Sequence, residues 1–272
     1  MVFDYPDRMQ HAFYQDPPEK AAGNIQPTPQ EKPLLDVYRE LDKRLEHVLK
    51  VTGDESLVLV VSDHGFGSFR RAIDLNAWLE EKGFLFRKEE TSNPRRIPFM
   101  GVDWGRTRAY ALGMGGIFIN RAGRESVGTV STESEYESLC EELIRDLKEF
   151  VDPADNSPVV FHVHRSRDRY QGPYVEEAPD LIVGFHRGFR CEWGSVAGHL
   201  SGEIFHANEL SWQADHAFDP SLVPGVLLSN VPLHCDNPHL VDLAPTILDA
   251  MGIATPSHMD GSSLLSTRES SS

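Results

Sequence analysis

An α/β fold with a mainly parallel sheet is the class this sequence predicts, on three observations. The run Leu57-Val58-Leu59-Val60-Val61-Ser62 is short, β-branched and apolar on both faces, the pattern of a buried parallel strand. Ahead of it Leu34, Tyr38, Leu41, Leu45 and Val48 recur at helical spacing, so a helix feeds the strand. The run ends in Asp63-His64 and then Gly65-Phe66-Gly67. A parallel strand delivers the residues beyond its C-terminal end into the crevice where open α/β sheets bind ligands. A carboxylate beside an imidazole suits a divalent metal, one anionic oxygen next to one neutral nitrogen. The flanking glycines let the backbone stay close to a ligand. Taken alone, the pair is equally a capped strand end with a polar turn.

Near the N-terminus, Asp7-Arg8-Met9-Gln10-His11 comes after the apolar stub Val2-Phe3, and a spacing of four puts Asp7 and His11 on one face of a helix. Residues 26–32 are Pro- and Gln-rich and predict a loop. Gly53 lies beyond the end of the Leu34–Val48 helix. Asp74 to Lys82 predicts a short helix, with Asp74 as cap and Gly83 as stop. Residues 86–115 are polar, Arg-containing and Gly-rich without clean periodicity, and predict an inserted lid or loop near the site. Leu139, Leu143, Leu147 and Phe150 mark another amphipathic helix, and Val159–Val163 and Leu181–Phe185 are strand candidates. His162 and His164 alternate on one strand face and read as exposed rather than ligating. His216, within Trp212–Phe218, precedes the strand-like Gly225-Val226-Leu227-Leu228. Pro238 to Met251 predicts a final helix, with Pro238 in its first turn and Gly252 at its C-cap. Residues 1–265 read as one domain, and the polar tail 266–272 as disordered.

Composition narrows the function. Hydrophobic residues make up 40% and charged residues 25%, which fits a packed domain rather than a disordered chain. No run approaches the roughly 20 apolar residues of a membrane helix, and no signal peptide is visible, so neither a membrane partner nor secretion is expected. Cys140, Cys191 and Cys235 are far apart without paired metal spacing, which fits a reducing, cytoplasmic setting. A net charge of −16 repels a nucleic-acid backbone, so polymer binding is not expected. Metals that reverse the local charge still permit binding of phosphate esters.

The residues offering metal-ligand chemistry are Asp7, His11, Asp63, His64 and His216. Each has an ordinary alternative: Asp7 as a helix cap, His11 as a surface residue, and His199 or His206 in place of His216. Arg106 and Arg108 suit bidentate recognition of a phosphate, or salt bridges.

The segments Asp7-Arg8-Met9-Gln10-His11-Ala12-Phe13, Ser62-Asp63-His64-Gly65-Phe66-Gly67, Thr107–Ala111 with Gly116–Asn120, Ala178-Pro179-Asp180-Leu181 and Asp242–Leu248 together carry a resemblance. It is to the alkaline phosphatase superfamily, in the branch of nucleotide pyrophosphatase/phosphodiesterase-like and predicted phosphohydrolase or phosphomutase proteins. It runs from about Asp7 to Leu265. The resemblance implies a three-layer α/β sandwich and metal-dependent hydrolysis or transfer of a small phosphate ester. It implies two divalent ions, zinc with manganese as alternative. Asp7, His11 and His216 would hold one; Asp63 and His64 would hold the other, with a further Asp and the nucleophile oxygen. Relatives open with a strand ending in that Asp, followed by a Thr or Ser nucleophile that forms a covalent phospho-enzyme. Neither is recognisable here, because the chain opens at the strand before the second ligand pair. The sequence therefore reads as an N-terminally truncated catalytic domain, with no catalytic residue of its own and a separate nucleophile-bearing segment as partner. The alternatives are a phosphomutase or sulfuric-ester hydrolase on the same scaffold, and a non-catalytic metal-binding remnant or subunit.

Overall fold

The structure, a computed structural model, describes residues 1–16, 31–88, 97–209 and 212–265. In chain order its elements are α1 (Tyr5–Phe13), α2 (Lys32–Thr52), β1 (Leu59–Val61), β2 (Gly67–Ile73), α3 (Leu75–Glu81), β3 (Ala109–Ala111), β4 (Gly116–Ile119), α4 (Glu133–Lys148), β5 (Val160–Arg165), β6 (Leu181–Phe185), β7 (Gly188–Cys191), α5 (Trp193–Val196), β8 (Phe205–Ala207), β9 (Ala214–Asp215), β10 (Leu227–Ser229) and α6 (Leu243–Ala250). The expected α/β class holds. The chain divides into two compact units.

The larger unit comprises Met1–Leu34 and Phe66–Val223. It contains two sheets, one ordered β7-β2-β8 with β9 also on β2, the other ordered β3-β4-β6-β5. Its core joins Ile73, Leu75, Trp78 and Leu79 to Ile117, Ile119, Leu143, Leu147, Leu181 and Phe185. Each such side chain contributes about 1.5–3 kcal/mol on leaving water. α3 starts where expected because Asp74, fully buried, accepts from the amides of Asn76 and Ala77 on one oxygen and of Ser201 on the other. α4 starts at a capping box in which Thr132 and Glu135 satisfy each other's backbone amides. Its leucines at 139, 143 and 147 all face the core, as their spacing predicted.

The smaller unit comprises Leu35–Gly65 and Pro224–Ser272, with most of α2, β1, β10 and α6. Asn230 clasps the approach to β1: it accepts from the amide of Val58 at 2.8 Å and donates to the carbonyl of Ser56. Gly225 runs so close to the other end of β1 that a Cβ there would stand 2.2 Å from the carbonyl oxygen of Ser62. Thr246 ties α6 down by donating to Asp242 O and accepting from the amide of Leu264.

Several expectations are corrected. Of the seven strand pairs among the described residues, only β2 with β7 is parallel, so the mainly parallel sheet does not hold for this part of the fold. The 57–62 run forms only β1, antiparallel to β10, with Val60 and Val61 exposed. An apolar run reports capacity for burial on both faces; neighbours decide direction, and among the described residues β10 alone pairs with β1. Of the expected lid or loop over 86–115, residues 97–108 are mainly turns and bends anchored in the core by Val102, and Ala109–Ala111 form the sheet strand β3. Residues 89–96 of that stretch lie outside the described residues, as do most of the 26–32 loop and the 266–272 tail. The last helix begins at Leu243, not Pro238, because Asp242 accepts the amide of His239 and holds a single 3₁₀ turn first. His164 is not an exposed strand residue: its Nε2 donates to buried Asp219 at 2.8 Å, while His162 on the same face is exposed. Arg108 pairs with Glu142 at 3.6 Å, and Arg106 lies over the ring of Phe86.

Candidate metal centre

α1 supplies the first two donors. With Pro6 at its start, the segment is helical from Tyr5, and Asp7 and His11 fall on one face, one turn apart. The C-terminal end of α1 docks on β9 through two bonds. The carbonyl of His11 accepts from the amide of Gln213, and His11 Nδ1 donates to the carbonyl of Ala214 at 2.8 Å. β9 in turn pairs with the start of β2, with Asp215 opposite Gly67. The peptide after β9 therefore brings His216 to α1 from the far end of the sequence.

The imidazole of His11 is buried and fixed on several sides. It stacks on Trp212 at 4.2 Å between ring centroids and meets the edge of Phe66 at 4.9 Å. The ring of His216 lies 5.3 Å from it and 5.4 Å from Phe66. Donation from His11 Nδ1 puts the proton there, so Nε2 carries the lone pair. That Nε2 stands 3.8 Å from one oxygen of Asp7, and His216 Nε2 stands 3.9 Å from the other. These separations exceed hydrogen-bond lengths. They lie within about 4.2 Å, the most that two donors each about 2.1 Å from one shared ion can be apart. Two imidazoles and one carboxylate are the protein donor set of many zinc centres. On chemistry and pairwise spacing these three residues suit a divalent ion, with the two imidazoles facing different oxygens of Asp7. Among the described residues of the larger unit, the set whose donor atoms all lie within 4.8 Å of one another is His11, Asp215 and His216.

Asp63 and His64 belong to the smaller unit, at the end of β1. His64 Nδ1 donates to the carbonyl of Gly65 at 3.1 Å, and its Nε2 lies 3.6 Å from an oxygen of Asp63. The Asp63 carboxylate is largely exposed. These two form a compact donor pair that needs further ligands to close around an ion. His199 and His206, the competitors of His216, sit elsewhere. They line a cleft of about 420 Å³ with Glu192, Ser201 and Glu203, and β8 places His206 opposite Ala72, five residues along β2 from the Gly67–Asp215 pair.

Two residues beside the centre were not singled out by the sequence reading. Asp215 accepts from the backbone amides of His216 at 2.8 Å and Ala217 at 3.1 Å through Oδ1. Its Oδ2 accepts from Arg190 Nη1 at 2.6 Å, and both side chains are buried. The signal was present: Asp215-His216 repeats the Asp63-His64 dipeptide, and Arg190 is a lone charge in an otherwise apolar strand.

A family model described as "Type I phosphodiesterase / nucleotide pyrophosphatase" matches residues 1–193, a span that includes Asp7, His11, Asp63 and His64. This bears out the nucleotide pyrophosphatase/phosphodiesterase branch to which the motifs pointed. Among solved structures the chain is similar to human ectonucleotide pyrophosphatase / phosphodiesterase 5, at 16% identity and a TM-score of 0.47. The match covers 94% of this chain and 54% of that one, so the chain spans about half its length. No curated protein matches.

Proposed function

Because this chain belongs to the type I phosphodiesterase / nucleotide pyrophosphatase family, we propose that it serves metal-dependent hydrolysis or transfer of a phosphate ester, with Asp7, His11 and His216 holding one divalent ion. The observation that carries the reading is the placement of two imidazole nitrogens, from residues far apart in the sequence, 3.8 and 3.9 Å from the two oxygens of a single carboxylate. The donor set favours zinc, with manganese as the alternative. When bound, such an ion neutralises charge on an anionic ester and acidifies a coordinated water. The chain's own residues prepare for it. Ala214 O fixes the tautomer of His11, and Trp212 and Phe66 wall the ring from water.

We assign Asp63 and His64 to a second ion. The remaining donors and the covalent nucleophile implied by the resemblance are assigned to polypeptide outside this sequence. The substrate class is a small phosphate ester rather than a polymer, because a protein of net charge −16 attracts neither strand of a nucleic acid. Elemental analysis of the purified chain, with His11→Ala and His216→Ala beside it, tests the first ion. The wild-type chain is expected to retain zinc through gel filtration, and each variant to lose it. Unchanged zinc in His11→Ala sinks the assignment. Hydrolysis of a chromogenic phosphodiester, expected to be weak with this chain alone, tests the nucleophile. Robust turnover by the chain alone, abolished by His64→Ala, would place the nucleophile within it.

A further inference from the structure

Asp215 poses a choice. Its carboxylate is near enough to His11 and His216 to be a further ligand, and an acidic residue directly before a histidine ligand invites that reading. Yet both oxygens are engaged, one by Arg190 and the other by the amides of His216 and Ala217. Arg190 is an unusual partner. It rises from β7 opposite Ala72 of β2, its guanidinium packs over Phe69 of β2 at 4.3 Å, and it reaches Asp215 on β9 across that strand. Trp193 covers it from another side. Both charges are buried, and among the described residues Arg190 Nε has no hydrogen-bond partner. Burying an ion pair with an unsatisfied donor is a poor way to stabilise a fold, since an apolar pair of similar volume does as well or better.

We propose that the Arg190–Asp215 pair positions the metal centre: Arg190 pins one oxygen of Asp215 so that the other holds the backbone of His216, and Asp215 is not itself a ligand. The inference rests on the reading of Asp7, His11 and His216 as metal donors. Its chemistry is that of an outer-shell partner, acting here on the main chain of the ligand. The two amides accepted by Asp215 Oδ1 fix the turn after β9, and that turn sets where the His216 ring can reach. The guanidinium also occupies the negative charge that would otherwise draw Asp215 toward a cation. Replacing a ligand's supporting partner typically weakens metal binding by about 10–100-fold.

The test is zinc affinity of the full chain, measured by competition with a chromophoric chelator. Metal-free melting curves verify that each variant folds. Asp215→Asn keeps an acceptor for the two amides but presents an amide to Arg190, and it is expected to bind zinc about 10–100-fold more weakly while melting cooperatively. Arg190→Met gives the sign. If the pair positions His216, zinc binding weakens; if Asp215 is a ligand restrained by Arg190, freeing it tightens zinc. Tighter binding in Arg190→Met, or an unchanged affinity in Asp215→Asn, overturns the inference. So does a loss in Asp215→Asn as complete as that in His216→Ala. Should Arg190→Met not melt cooperatively, Arg190→Lys carries the test, with weaker zinc expected and unchanged or tighter zinc contrary. His216→Ala separates the two levels: if it too leaves zinc affinity unchanged, the metal centre itself is misassigned.

Discussion

Asp219 shows how one carboxylate organises its surroundings. Its oxygens accept from His164 Nε2 at 2.8 Å and from the hydroxyl and amide of Ser221, while its own amide donates to Phe185 O. Gly184 makes room for it, since a Cβ there would stand 2.3 Å from Oδ2. Burial pushes the Asp219 carboxyl up, but the bonds from Ser221 and His164 more than offset this and hold it below its usual value. The folded value is thus below the unfolded one. Its stabilising contribution is complete above the ordinary carboxylate value of about 3.9 and is lost as pH falls through the depressed folded value. Asp219→Asn is therefore expected to flatten the acid limb of urea stability measured from about pH 5 downward; an unchanged acid limb counts against the pairing. The thiols give a second residue-scale prediction. Burial pushes Cys140 up to about 11 and raises Cys191, whereas Cys235 is exposed. An aromatic disulfide reagent at pH 8 should label Cys235 alone in the native chain, with all three labelled after unfolding. At this scale the sequence showed which residues bear ligand chemistry but not their neighbours. Asp7 and His11 are one helical turn apart, so their shared face was legible. Asp215 was passed over because its partner, Arg190, is close only after three strands have paired.

Elements were legible where one periodicity ruled a whole stretch. α4 is the clear case: leucines at 139, 143 and 147 lie on one buried stripe, with Arg145 and Lys148 in the last turn to complement the helix dipole. Leu143 is fully buried, and Leu143→Ala is expected to cost about 2–5 kcal/mol in chemical denaturation. Thr132→Ala, which opens the capping box, should cost about 1 kcal/mol; equal losses from the two variants would mean that α4 is not anchored chiefly by its apolar stripe. β2 was missed for the converse reason. Arg70 and Arg71 interrupt its apolar pattern, and only the fold reveals that Arg71 reaches buried Asp152 at 2.9 Å and Arg70 pairs with Asp155. β1 misled in a third way, because its apolar run described what the strand can bury and said nothing about which strands would pair with it.

The two units differ in how much of their apolar surface is withdrawn from water. Nearly all of the buried apolar core lies in the larger unit, whereas Pro245 and Leu264 are the buried apolar side chains of the smaller one among the described residues. Val60 and Leu228 stand directly opposite each other across β1 and β10, and both are exposed, as is Val61 on the alternate face. A two-stranded ribbon with one face exposed and the other only partly covered is marginal in water. The smaller unit instead relies on polar ties, the Asn230 clasp on Ser56 and Val58 and the Thr246 bridge to Leu264. Each such bond is worth only about 1 kcal/mol net. Its backbone should therefore open at lower free energy than the larger unit's. Hydrogen exchange followed by mass spectrometry is expected to show β1, β10 and α6 exchanging well before β2, β6 and α3. The exposed ribbon should also drive association of the chain. Val60→Thr combined with Leu228→Lys removes the apolar pair, and it should lower light scattering while leaving exchange in the larger unit as before. If β1 and β10 are protected as strongly as β6 in the dilute chain, the ribbon is covered after all and the solubility prediction falls with it.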